Sequence, residues 1–284
     1  MVHAKNVERR DSLSDGLKSV KEWTSGMSKA VSIEIQRAYV MFANAYLALP
    51  EASRTCYAIT TVNALIFLAW KVPRWQTFMM RHFLHDPLSG RSYTLLTSVF
   101  SHQSFPHLLF NSLALNSFGA AFDVVDSQRP DVLHMAHSTN RWHFLGFYLG
   151  AGLFASTLSH VVSTRIVLPR LLKALADPAK ASALKPNEAM ISPSLGASGA
   201  IYGVVAMTAL ALPETNISLI FLPMVPFPIT FGVGGMVALD IIGIIRGWKM
   251  FDHWAHLGGA LSGAIYFYHA PWEWVRAKLW PLRV

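Results

Sequence analysis

Charge is scarce in this sequence: Asp, Glu, Lys and Arg make up 14% of its 284 residues, while hydrophobic residues make up 52%. A water-soluble domain carries about a quarter charged residues. The deficit excludes an ordinary soluble surface and points to a polytopic membrane protein. The length accommodates about six spans joined by short loops and leaves over no soluble domain of useful size. Cysteine is scarcer still. The single Cys56 excludes an intramolecular disulfide and any multi-cysteine metal site. A basic stripe is missing too: the net charge is +8, but Lys and Arg fall in gaps between apolar runs and do not interleave with aromatics. That excludes a nucleic-acid partner. Basic loops in a membrane protein set orientation and meet anionic lipid headgroups. Here their distribution leans towards the 71–95 side facing the matrix or cytosol.

Along the chain, residues 1–54 read as a polar, amphipathic N-terminal extension. Its apolar stretch Ala38–Leu49 is too short for a span and suits an interfacial helix. Lys5, Arg9 and Arg10 are mixed with Glu8, Asp11 and Asp15, whereas a transit peptide is poor in acids. Residues 55–272 contain six largely uncharged windows: 55–70, 92–122, 142–164, 189–213, 229–245 and 253–272. The first part of the second is read as a loop. A spanning helix needs about 20 apolar residues, and lipid leaves no backbone polar group free to go unpaired. The expected fold is therefore an all-α polytopic membrane protein with a six-helix core over 55–272. Residues 273–284 form a short basic tail.

Three motifs carry chemistry. The first is Gly196-Ala197-Ser198-Gly199-Ala200-Ile201-Tyr202-Gly203. Glycines allow close backbone approach, and a helix start presents unpaired N–H groups that favour developing negative charge. Both suit a serine nucleophile, although Gly199 and Gly203 on their own would be a helix-packing face. A Gly-x-Ser-x-Gly nucleophile elbow fails, because its last glycine is Ala200 and the strand before it is missing. The second motif is Ala255-His256-Leu257-Gly258-Gly259, with Gly263 one turn further. His256 offers a general base, and Gly259 and Gly263 offer a face that could press against Gly199 and Gly203. A lone histidine in a span would otherwise be a packing residue. The third motif is His102-x4-His107-x3-Asn111. His107 and Asn111 share a helix face, and polar residues inside a span are functional candidates, here as donors to an oxyanion. A metal site on His102, His107, His253 and His256 is the competing idea, and no His-Glu-x-x-His or carboxylate partner accompanies it.

These three motifs, in this order, resemble the rhomboid family of intramembrane serine proteases. Pro193-Ser194-Leu195-Gly196, Ile220-Phe221-Leu222-Pro223-Met224, Gly247-Trp248-Lys249-Met250-Phe251-Asp252-His253 and Met79-Met80-Arg81-His82-Phe83 look like its mitochondrial, PARL-type branch. The Trp-Arg pair of bacterial first loops is absent, and no extra helix ahead of the core is visible in the sequence. The resemblance implies a serine endopeptidase without metal or cofactor. Ser198 would be its nucleophile and His256 its base, with His107, Asn111 and the Ser198 N–H around the oxyanion. Tyr202 would stack on His256, and His102 would be structural, as would Gly196, Gly199, Gly259 and Gly263. It assigns no aspartate to the dyad, so packing and Tyr202 must fix the His256 ring. Asp240, in the fifth span, reads as a structural hydrogen-bonding residue, and Asp252 as a helix-start residue. The implied location is the mitochondrial inner membrane. The implied partners are single-span membrane-protein substrates, including dynamin-like fusion GTPases in fungal members, together with membrane lipid. A catalytically silent rhomboid-like binding protein is the alternative. A solute transporter would show repeat symmetry between halves, and none is apparent.

Overall fold

The computed structural model describes residues 2–127, 140–184, 190–219 and 222–269. It is mostly helical. The lead-in forms two helices, α1 (Val2–Trp23) and α2 (Lys29–Ala48), which pack on each other. Then come α3 (Glu51–Trp70), a 3-10 turn at Pro73–Trp75, α4 (Gln76–His82), α5 (Thr94–Thr97) and α6 (Phe105–Ser127). Helix α7 (Asn140–Val162) continues through a π-helical turn, Ser163–Val167, into α8 (Leu168–Leu175), and α9 (Pro178–Ala183) follows. Beyond it lie α10 (Ser198–Ala211), the strands β1 (Asn216–Leu219) and β2 (Leu222–Pro228), α11 (Ile229–Arg246) and α12 (His253–His269).

Each of the six uncharged windows holds a helix. Among the described residues, two stretches, Arg141–Leu175 and Ile229–Arg246, are long and apolar enough on their own to cross a membrane. A third is reached if Glu51–Trp70 and Pro73–His82, bent by 99° at Pro73, count as one span. The all-α expectation needs a correction, because β1 and β2 pair antiparallel, with Asn216 opposite Pro228 and Ile217 opposite Phe227. Pro223, Pro226 and Pro228 cannot continue a helix, and proline is tolerated in an edge strand. The lead-in is also more helical than its polarity suggests. Its second helix is 20 residues long, reaches well N-terminal of Ala38 and has no buried residue.

Helix α10 sits at the centre. Ten of its 14 residues are buried, and it packs against α12, α7, α6 and α11. It is rich in Gly and Ala, so its neighbours approach closely. In lipid, such van der Waals packing holds helices together, because the tails are as apolar as the side chains. Around it Leu115, Phe144, Tyr148, Val204 and Met207 form a continuous apolar core. Two devices set the helix ends that matter for the site. Gly247 ends α11 in the left-handed conformation at φ 68°, and Trp248 N–H donates to the Gly243 carbonyl at 2.8 Å, the glycine-terminated helix stop. Asp252 starts α12, its Oδ1 accepting from Ala255 N–H at 3.0 Å. Ser159 of α7 donates to the same carboxylate at 2.7–2.8 Å, tying the start of α12 to α7.

Candidate active site

Ser198 is the first residue of α10, and the loop before it is held from two sides. His85 and Ser194 exchange both backbone hydrogen bonds at 2.9 Å, and Gly196 N–H donates to the Ser98 carbonyl at 2.9 Å. Gly196 has φ +128°, a region L side chains rarely adopt, and a Cβ there would lie 2.6 Å from His107 Cε1. Only glycine both turns the chain here and leaves room for the His107 ring.

The Ser198 and His256 helices run side by side in the same direction. A Cβ on Gly259 would strike the Gly199 carbonyl, and one on Gly263 the Gly203 carbonyl. A Cβ on Gly203 would in turn come 3.2 Å from the Gly259 carbonyl. The two glycine faces therefore interlock backbone to backbone. This brings the first turns of α10 and α12 together and places Ser198 Oγ 2.9 Å from His256 Nε2. The Tyr202 ring stacks on His256 with centroids 4.3 Å apart and planes within 12°.

One expectation is overturned. The reading of a histidine held by packing and Tyr202 alone left out Asp240, whose Oδ1 lies 3.1 Å from His256 Nδ1. A carboxylate only accepts, so Nδ1 carries the proton and Nε2 is left to accept from the Ser198 hydroxyl. Asp240 comes from α11, and its distance from His256 in sequence has no relation to helical period. A polar residue in a span was the available signal, but nothing in the sequence says which helix face it meets. The same Oδ1 accepts from His253 Nδ1 at 2.6 Å. Asp240, His253 and His256 are 3%, 4% and 7% exposed. Among the described residues they are also the group whose ligand atoms could hold a metal ion, all within 4.8 Å. The four histidines weighed above as ligands do not form such a group.

On the other side of Ser198, His102 Nε2 accepts from Asn111 Nδ2 at 3.0 Å and from Ala197 N–H at 3.4 Å. Two donors on one nitrogen leave the proton of the neutral ring on Nδ1. His102 thus ties the third motif to the serine loop, and it packs edge-on to His107 with centroids 4.9 Å apart. Asn111 keeps a second N–H for another acceptor. A cavity of about 20 Å³ adjoins Ser198, lined by Ser98, Gly152, Ser156, Ser194 and Asp252 among others. This cavity lies between the serine loop and α7.

Comparison with known proteins matches residues 89–271 to the Rhomboid domain model. The chain is 29% identical over 266 residues to "Presenilin-associated rhomboid-like protein A, mitochondrial" of Danio rerio, covering 91% of this chain and 59% of that protein. It is 34% identical over 219 residues to the Homo sapiens "Presenilin-associated rhomboid-like protein, mitochondrial", covering 77% and 48%. With "Rhomboid protein 1, mitochondrial" of Saccharomyces cerevisiae it shares 29% over 212 residues, 74% and 51% of the two chains. The chain thus spans about half the length of most of these curated relatives.

Proposed function

The chain belongs to the rhomboid family, and from that premise we propose that it is an intramembrane serine endopeptidase with Ser198 as nucleophile and His256 as general base. It is an integral membrane protein of mitochondria, and our reading places it in the inner membrane. In this reading α3, α6, α7, α10, α11 and α12 form a six-helix membrane core within 55–272, and residues 1–54 are an extension. The tail at 273–284 lies outside the described residues. Helix α10, with 14 residues, is about 21 Å long, against about 30 Å of hydrocarbon. Its short length lets Ser198 sit below the membrane surface.

The observation that carries the proposal is the chain of contacts from Ser198 Oγ to His256 Nε2 at 2.9 Å and from His256 Nδ1 to Asp240 at 3.1 Å. Ser198 Oγ attacks the scissile carbonyl while His256 Nε2 takes its proton. Asp240 keeps the ring in the right tautomer and faces the imidazolium that forms. The Ser198 N–H, the free Asn111 N–H and His107 line the place where the oxyanion develops. As the tetrahedral centre collapses, His256 returns the proton to the departing amine. A water then enters and attacks the acyl carbon as His256 takes its proton, and His256 passes that proton to Ser198 Oγ as the ester bond breaks, releasing a carboxylic acid and free Ser198. A cavity of about 20 Å³ beside Ser198, between the serine loop and α7, is large enough to hold one water. A substrate helix satisfies its own backbone and must unwind first. The substrates in this reading are single-span membrane proteins cut near a membrane edge, at small residues in helix-destabilised segments, with dynamin-like fusion GTPases among them.

The test is labelling of the detergent-solubilised protein with a fluorophosphonate serine probe, comparing wild type with Ser198→Ala and His256→Ala. Labelling lost in both variants supports the reading. Equal labelling of folded Ser198→Ala would sink it, and a folded wild type that takes no label would favour the silent binding protein.

A further inference from the structure

We propose that His253 is a positioning residue for this reaction, a fourth member of the hydrolytic unit that acts on His256 by anchoring Asp240. The proposal rests on the reading of Ser198 and His256 as the reacting pair. Of the two hydrogen bonds on Asp240 Oδ1, that from His253 Nδ1 is the shorter, at 2.6 Å against 3.1 Å from His256. The other carboxylate oxygen, Oδ2, is buried with no hydrogen-bond partner. Of the two histidines on Asp240, His253 is therefore the closer hold.

The surroundings of His253 allow it this role only. Its Nε2 is buried without a partner, so an N–H there would have no acceptor. Nδ1 is therefore the ring atom that has an acceptor, and it donates to Asp240. The ring lies against Gly243, three residues beyond Asp240 on α11. A Cβ on Gly243 would overlap the ring at Nε2 and Cε1 and come 2.8 Å from Cδ2. The slot on α11 and the donor on α12 thus fit each other. His253 and His256 are three apart on α12, so one helix face presents both Nδ1 atoms to the carboxylate. A carboxylate in low dielectric stays ionised only if it is well supplied with donors. Without His253 it would keep only the longer bond from His256 and its interaction with the Tyr202 hydroxyl, and would lose its shortest hold.

The experiment measures kinact and KI for the fluorophosphonate probe on the full-length protein in detergent. His253→Leu and His253→Gln should each lower kinact about 10- to 100-fold with KI within about twofold, the size of loss typical of an outer-shell support residue. His253→Asn should restore kinact to within about threefold of wild type, because its Nδ2–H falls near the place of the imidazole Nδ1–H. Gly243→Ala should reproduce the His253→Leu defect. In an Asp240→Asn background, His253→Leu should add little, since a residue that acts through another loses its effect when that other is gone. Wild-type kinact in His253→Leu would overturn the proposal. So would an Asn variant as impaired as the Leu variant, or losses that multiply in the double variant. If His253→Leu does not fold, the Asn and Gln pair still decides. Ser198→Ala run alongside separates the two claims, since label retained there removes the dyad reading itself.

Discussion

At the scale of single residues, the site is built from buried polar groups that each have a specific partner. Asp240 shows what this implies. With its Oδ1 on His256 Nδ1 at 3.1 Å, replacement by Asn can present an N–H where a carboxylate oxygen was and favour the wrong tautomer. Asp240→Asn should lower the probe-labelling rate about 10²- to 10⁴-fold while the protein stays folded, as for the aspartate of soluble triads. Pulse labelling at several probe concentrations would measure it, and an unchanged rate would mean that the ring is held by Tyr202 stacking alone. His102 is a different kind of residue, since it touches Asn111 and Ala197 but not Ser198. His102→Ala leaves two buried donors without their acceptor, each costing about 1–3 kcal/mol. The expected outcome is a lower unfolding temperature together with slower labelling, read by thermal denaturation and the same probe.

At the scale of elements, two contacts bring the site together. The first is the glycine interlock between α10 and α12. Because the would-be Cβ atoms of Gly259 and Gly263 meet backbone rather than flexible side chains, the helices must move apart to admit even a methyl group. Gly259→Ala should cost about 1–3 kcal/mol and Gly259→Val more, and both should lose labelling as the 2.9 Å Ser198–His256 contact opens. Full labelling of Gly259→Val would show that the interlock is not needed. The second contact ties the loop after α4 to the serine loop through His85 and Ser194. His85 Nδ1 lies 2.8 Å from Thr94 Oγ1 and Nε2 3.1 Å from His160 Nδ1. Burial, and next the neighbouring His160, lowers its pKa to about 4. In the unfolded chain it takes up a proton near pH 6.5. Between these values the unfolded state binds more protons, so stability is lost as the pH falls from about 6.5 towards 4. The loss is at most about 3 kcal/mol. Hydrogen exchange at the Ser194 amide, corrected for its intrinsic rate, should quicken over this interval in wild type and change less in His85→Asn.

At the scale of the whole molecule, the proposed catalytic groups lie in the α6–α12 body, while α1 and α2 pack mainly on each other. Arg54 ties α2 to α3: its guanidinium donates to the Tyr46 and Leu47 carbonyls at 3.0 and 2.8 Å and so closes the end of α2. A variant lacking residues 2–48 leaves the buried Arg54 guanidinium without the Tyr46 and Leu47 carbonyls, so it should unfold at a lower temperature while still inserting into the membrane and labelling within about twofold of wild type. Loss of labelling in a folded truncation would mean that the α1–α2 pair supports the core. The apolar residues Phe231, Leu239, Ile241, Ile242 and Ile245 of α11 are exposed in the structure. In a membrane they would face lipid, while Asp240 on the opposite side of the same helix turns inward.

What the sequence determined by itself was everything that depends on composition and local spacing. Low charge and apolar windows dictate a membrane protein of helices, because lipid offers the backbone no other partner. Glycines four apart beside Ser198 and His256 announce two helices able to touch, and Asp252 ahead of an apolar run announces a helix start. The tertiary structure alone decided what meets across elements. Asp240 and His256 are sixteen residues apart on different helices, and His85 and Ser194 more than a hundred. Neither pair has a local pattern, because the distance between two side chains on separate helices is set by how all the helices pack. That packing placed a carboxylate behind the histidine where sequence reasoning had left only a ring and its stacking partner. It also paired the proline-broken segment before α11 into a hairpin, a state that local hydrophobicity does not distinguish from a loop.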